Sequence, residues 1–151
     1  SPVAPASFMV LNFTRLDPHT KDPEQVEAGK PVFKLFANEG KSIQPFERAE
    51  VSTGIMLFPS PGLTVKVYPS EHLLLECGMV CLPKLMSSGG EVKLTLANLA
   101  IPDFLYLKNE SMKAHSALFG SHNSFRIDRG DEMATITVEK SLDNLSLREI
   151  I

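Results

Sequence analysis

The feature that most constrains this chain is its rhythm. Short apolar or alternating runs recur along it and are cut by clusters of glycine, proline, asparagine and serine. The runs are FMVLNFTRL, PVFKLFA, AEVSTGIMLF, LTVKVYP, HLLLECGMVCL, EVKLTLANL, FLYLK, SFRID and MATITVEK. A period of two places alternate side chains on opposite faces, which is the pattern of a strand half-buried in a sheet. The breakers NEGKS at 38–42, PSPG at 59–62, SSGG at 87–90 and DRGD at 128–131 supply turn residues between them. Regular short strands of this kind predict an all-β sandwich or barrel. SMKAHSALFG is the one short stretch with helical character, ending at Gly120. The polar, proline-rich DPHTKDPEQVEAGKP at 17–31 has no period and is expected to be a surface loop.

Composition narrows the function classes. A chain of 151 residues with 43% hydrophobic content has the size and composition of a single domain, expected over 1–151. No apolar run reaches the roughly 18–20 residues that cross a bilayer as a helix, so no membrane partner is expected. The start, SPVAPASF, lacks the basic and apolar regions of an intact signal peptide, although a processed start would look the same. The expected location is therefore intracellular, in the cytoplasm or nucleus, with secretion left open. A net charge of −3 with scattered lysines and arginines offers no basic stripe, so no nucleic acid is expected. Cys77 and Cys81, with His19, His72, His115 and His122 spread along the chain, do not have zinc-ligand spacing. If ECGMVC is a strand, its two cysteines lie about 13 Å apart, too far for a mutual disulfide. Neither a metal site built from these residues nor a cofactor is expected.

The order of motifs resembles the homotrimeric dUTPases. A first strand ends in Arg15-Leu16, and Ala28-Gly29 precedes a strand. Pro45 sits in mid-hairpin, V-x-T-G-I follows at 51–55, then P-x-x-G and V-x-V-x-P. The likeness continues through GGEVKLTLAN and FRIDRGDEMATITVEKSLDNLSLREI. It implies a dUTPase-like jelly-roll β-barrel with residues 101–124 inserted before the last hairpin. It also implies hydrolysis of dUTP to dUMP and pyrophosphate. In the family Mg²⁺ and cationic donors hold the triphosphate while a carboxylate activates water for attack at the α-phosphate.

Position by position, the chemical motifs depart from that pattern. Lys34 stands where the first motif has an aspartate. Ser70, Glu71 and His72 follow V-x-P where an Arg-Ser-Gly would contact phosphates. From 78 to 90 there is no Asp, Glu or Tyr for the water-activating hairpin. The fourth motif keeps Gly130 and Asp131 but has Glu132 in place of arginine and Thr135 near the usual glutamine. The family's Gly-rich C-terminal arm has no counterpart up to Ile151.

These departures lead to the expectation of a dUTPase-related scaffold without catalytic residues. Its vestigial pocket would comprise Lys34, Ser70, Glu71, Gly130, Asp131 and Glu132. Such descendants occur among DNA viruses, where they engage host proteins, so the expected role is a regulatory module with a host protein partner. The expected partner surface combines Pro83, Lys84, Leu85 and Met86 with Phe104, Tyr106, Lys113, His115 and Phe119 of the insertion. The alternatives are a dUTP hydrolase or nucleotide-binding protein with groups from Glu71, Asp131 or Glu132, and a structural jelly-roll subunit. Family trimer and monomer are both open. Arg129-Gly130-Asp131 is read as a hairpin turn between paired strands rather than an adhesion signal. The sequons at Asn12, Asn109 and Asn144 are taken as chance. HLLLEC is read as core, with 83–86 left between core and patch.

Overall fold

The computed structural model of the protein describes residues 9–99 and 124–151. The strands are β1 (Asn12–Arg15), β2 (Glu24–Gln25), β3 (Val32–Phe36), β4 (Lys41–Ile43), β5 (Arg48–Phe58) and β6 (Leu63–Pro69). A short helix, α1 (Glu71–Leu75), follows. Then come β7 (Met79–Val80), β8 (Lys84–Met86), β9 (Gly90–Asn98), β10 (Phe125–Ile127) and β11 (Glu132–Lys140). Among the described residues they form a four-stranded sheet in the order β1-β5-β9-β7, a five-stranded sheet β2-β3-β11-β6-β8, and a ribbon of β10 with β4. Each of these pairings is antiparallel. The all-β expectation holds.

Period-two burial explains why these segments are strands. Leu63, Val65 and Val67 of β6 point inward, as do Val92, Leu94 and Leu96 of β9, while the residues between them are more exposed. The two sheets meet in one cluster, in which Val51, Ile55 and Leu57 of β5 and residues of β9 share a core with Leu35, Val65, Val67 and Ile136 of the five-stranded sheet. Ile43 and Ile127 of the ribbon also join it. Full burial of each such side chain contributes about 1.5–3 kcal/mol, so facing apolar stripes hold the sheets together.

Two expectations change. HLLLECGMVCL is not one strand: Glu71–Leu75 is helical, Gly78 turns at φ +70, and only Met79–Val80 pair in a sheet. The run has no β-branched residue before Val80, and leucine is a good helix former, so its apolar content carries no strand preference. The extended spacing assumed for Cys77 and Cys81 goes with it; both are half-buried free thiols. Only Leu73 of the helix is buried, so HLLLEC is not continuous core. The loop over 17–31 is polar and largely exposed as expected, yet it contains β2 and the buried Thr20. FLYLK, SMKAHSALFG and almost all of the 101–124 insertion lie outside the described residues.

Strand β5 is the longest of the described strands, and its ladder with β9 shifts register between Ser52 and Met56. Within that bulge Gly54 sits at φ +68, and a Cβ there would lie 2.6 Å from Asn38 Cγ and 2.7 Å from Thr20 Oγ1. The glycine of V-x-T-G-I is therefore required by both backbone and space. Replacement by alanine imposes a left-handed alanine and a clash, a loss of about 2–4 kcal/mol. Urea unfolding of Gly54→Ala should show a lowered midpoint with the slope unchanged.

Candidate functional site

Antiparallel register builds a polar row on the outer face of the five-stranded sheet. Thr135 of β11 lies opposite Lys34 of β3 on one side and Tyr68 of β6 on the other, and Glu24 of β2 lies opposite Lys34. A register shift between Glu132 and Ala134 interrupts the β11–β3 ladder just before this row. Bulges of this kind re-aim side chains. Here Glu132 forms an ion pair with Lys34, Nζ to Oε1 3.8 Å.

At the end of the row is a cleft of about 440 Å³ lined by Tyr68, Pro69, Ser70, Glu71, His72, Glu132 and Thr135. Ser70 N–H donates to Met133 O at 2.9 Å, joining the end of β6 to β11 and setting the entry to α1. Ser70 is 4% exposed, and its Oγ has no hydrogen-bond partner. A buried hydroxyl without a partner costs about 1–3 kcal/mol, a cost relieved by a ligand oxygen or water. A second cleft, of about 490 Å³ and beside the far end of β11, is walled by apolar groups including Leu11, Phe13, Phe33 and Val138. No hydroxyl side chain lines it, and its one carboxylate is Glu139.

Of the six residues assigned to the vestigial pocket, Ser70, Glu71 and Glu132 line the cleft, and Lys34 reaches it through Glu132. Gly130 and Asp131 do not line it. His72 and Tyr68 are not singled out by the sequence as pocket residues, although His72 directly follows Glu71 and Tyr68 precedes Pro69 of V-x-V-x-P. Among the described residues no three His, Cys, Asp or Glu side chains form a metal-binding group. Burial pushes the Cys77 and Cys81 thiols up, which favours the protonated form over the thiolate that nucleophiles and metal ligands require.

The Arg-Gly-Asp turn differs from its expected form. Gly130 has φ +91, but β10 pairs with β4 while β11 pairs with β3 and β6. The turn thus passes the chain between sheets instead of closing a hairpin. Asp131 Oδ2 accepts from Asp128 N–H at 2.8 Å inside it, and Ala37 N–H donates to Asp131 O at 2.8 Å. Arg129 Nη2 donates to Asp17 Oδ1 at 2.8 Å and to Asn38 Oδ1 at 3.1 Å. The tripeptide's arginine is engaged within the fold.

In the expected partner surface, Lys84 and Leu85 are exposed, Leu85 at 72%, as is Pro83, while Met86 is half-buried. Among the described residues β8 is an edge of its sheet, paired to β6. Phe104, Tyr106, Lys113, His115 and Phe119 lie outside the described residues. Among the described residues no helix is long and apolar enough to cross a membrane.

No protein-family model matches the chain. It is similar to the deoxyuridine 5'-triphosphate nucleotidohydrolase of Wolinella succinogenes, 33% identical over 100 residues, which span 64% of this chain and 67% of that protein. The enzyme of the same name from Bartonella bacilliformis is 38% identical over 75 residues, 47% of this chain and 42% of that protein. The matched stretch thus spans from about two fifths to two thirds of these two relatives. Among solved structures, a point mutant of the Staphylococcus bacteriophage 80alpha dUTPase superposes with TM-score 0.71 at 15% identity, covering 93% of this chain and 96% of that one. The dUTPase from phage phi11 of S. aureus gives the same values.

These relatives overturn the expectation of a non-catalytic interaction module, since the curated proteins that match by sequence are named as nucleotidohydrolases. Taken singly, Lys34 for aspartate and Glu132 for arginine each look like loss; in the fold the two side chains form an ion pair at 3.8 Å beside the cleft that Glu132 lines.

Asp17 anchors the neighbouring loop. Its carboxyl is held below the ordinary 3.8, chiefly by the Asn38 side-chain amide, then by His19 N–H and by Arg129, against a desolvation that raises it. A depressed folded-state value means that the stabilisation is present above the unfolded value and lost as pH falls through the folded one. Asp17→Asn should therefore be less stable than wild type at neutral pH, and the gap should close as pH falls below 3.8. Chemical unfolding midpoints across that range provide the measurement.

Proposed function

The chain belongs to the dUTPase family, and from that premise we propose that it is a dUTP nucleotidohydrolase with a divergent site in the cleft between β6, α1 and β11. The observation that carries this reading is the convergence around one cleft of the residues that stand at the positions of the second and fourth family motifs, Ser70, Glu71 and His72 with Glu132 and Thr135. Lys34 supplies the positive charge beside it.

The reaction needs donors for phosphate oxygens, a base for water and a means of offsetting developing charge. Ser70 Oγ, with no partner in the fold, donates to a phosphate oxygen and so resolves its own burial. Thr135 and Tyr68 add hydroxyl donors at the same wall. Lys34 attracts the triphosphate once Glu132 is drawn away from it. His72 takes the proton as the water oxygen bonds to the α-phosphorus and the bridging bond to the β-phosphate breaks, releasing pyrophosphate. A divalent cation carried with the substrate supplies further charge neutralisation. The oxygen-rich lining, two carboxylates and three hydroxyls, fits a hard cation of this kind.

Incubation of the protein with dUTP and Mg²⁺ should yield dUMP and pyrophosphate. His72→Gln should lower kcat by about 100-fold or more with little change in KM, as expected for loss of a general base. Wild-type protein that leaves dUTP intact would overturn the reading.

A further inference from the structure

At the far end of β11 from Glu132 the two sheets leave apolar surface uncovered. Phe13 of β1 stands opposite the buried Leu57, on the core side of its strand, yet it is 43% exposed. The cleft there measures about 490 Å³, with the buried Leu57, Leu63 and Ile136 at its floor. That volume is within the roughly 300–1,000 Å³ of small-molecule sites. Its charged groups belong to exposed residues at the rim, and they are unequal in sign. The one carboxylate, Glu139, is held by Lys66 at 3.1 Å, whereas Lys30 and Lys140 have no ion pair among the described residues.

The two lysines reach the same end of the cleft from two strands. Val138 N–H donates to Pro31 O at 3.1 Å, which carries the β3–β11 ladder past Val32 and brings Lys30 alongside the end of β11. Lys140 follows Ile136 and Val138 at alternate positions and lies opposite Leu63, so it stands in the inward phase of its strand. A lysine so placed lays its stem along apolar surface and keeps its ammonium in water at the opening. An apolar hollow with two unpaired cations at its mouth is the complement of an amphiphile with an anionic head.

We propose that this cleft binds a linear aliphatic carboxylate, a fatty-acid anion whose alkyl chain lies between the sheets and whose carboxylate is held by Lys30 and Lys140. The lining disfavours a peptide: it has no hydroxyl side chain, and its one side-chain amide, Gln25, already donates to Lys30 O at 2.9 Å. A peptide buried there would leave backbone N–H and C=O groups without side-chain partners, a cost that an alkyl chain does not incur. The cleft is separate from the one assigned to dUTP, so the proposal stands whether or not that cleft hydrolyses the nucleotide.

The chain contains no tryptophan, so Phe13→Trp places a single indole in the cleft wall. Titration of this variant with dodecanoate, below its micellar concentration, should shift the emission to shorter wavelength and saturate at one equivalent. Calorimetry on wild type should show affinity rising roughly tenfold from octanoate to decanoate, and again to dodecanoate, as added methylenes are buried. Lys30→Gln and Lys140→Gln should each weaken decanoate about tenfold, through loss of a charge-assisted contact, and leave the binding of decanol, the uncharged chain, unchanged. Urea midpoints establish that each variant is folded. The proposal is overturned by the lack of saturable dodecanoate binding to wild type, or by decanoate affinity that is the same in both lysine variants as in wild type. It is also overturned if a peptide of residues 145–151, which presents the exposed Leu147, Ile150 and Ile151, binds wild type more tightly than dodecanoate. That result would assign the cleft to the tail of a second copy.

Discussion

The register of β11 is the constraint on which the rest depends. It is central in the five-stranded sheet, pairing with β3 along one side and β6 along the other. Its inward residues Met133, Ala134 and Ile136 are buried in the core shared with the facing sheet. A slip of one residue would turn these toward water and bring Thr135 inside. Burial on one face therefore fixes the position of every polar group on the other. Thr135 stands between Lys34 and Tyr68 because Ile136 must stand between Phe33 and Val67.

That coupling lets charges on the outer face vary while the fold persists. The outer face makes few demands on packing, so charges there can exchange partners at little cost to stability. An exposed pair such as Lys34–Glu132 is worth no more than about 1 kcal/mol to the fold. What sets it apart from the other surface pairs is its place beside the cleft that Glu132 lines. The irregularity at Glu132 supports the same division, because the bulge alters the direction of a surface side chain while the buried strand beyond it continues in register with β6.

Much of the fold was legible in the sequence wherever burial was one-sided. β5, β6, β9 and β11 follow from alternation, and Gly130 from its turn composition. HLLLEC was misread because a leucine run states apolarity without a period, and what decides it is the absence of branching at Cβ. The Arg-Gly-Asp turn was placed correctly but given the wrong neighbours, since a local pattern shows that the chain reverses and not which strands it leaves and joins. The candidate site was legible residue by residue and illegible as a pair: Lys34 and Glu132 lie far apart in the chain, and only the pairing of β3 with β11 brings them into an ion pair. His72 and Ser70 gain meaning in the same way, from the cleft around them and from a hydroxyl left without a partner.

The junction of Arg129, Asp17 and Asn38 has a consequence for how this protein tolerates change. Asp17 opens the long loop that returns to the sheet through the pairing of β2 with β3, and Arg129 and Asn38 hold its first residue to the β10–β11 turn. With both ends clamped, the loop's length becomes nearly independent of the domain's geometry, since the entropy of a closed loop grows only slowly as residues are added. The glycine at 54, which leaves room for Asn38 and Thr20 at that clamp, thus acts as a boundary post. On one side of it the sequence is held to the last atom; on the other, drift is inexpensive.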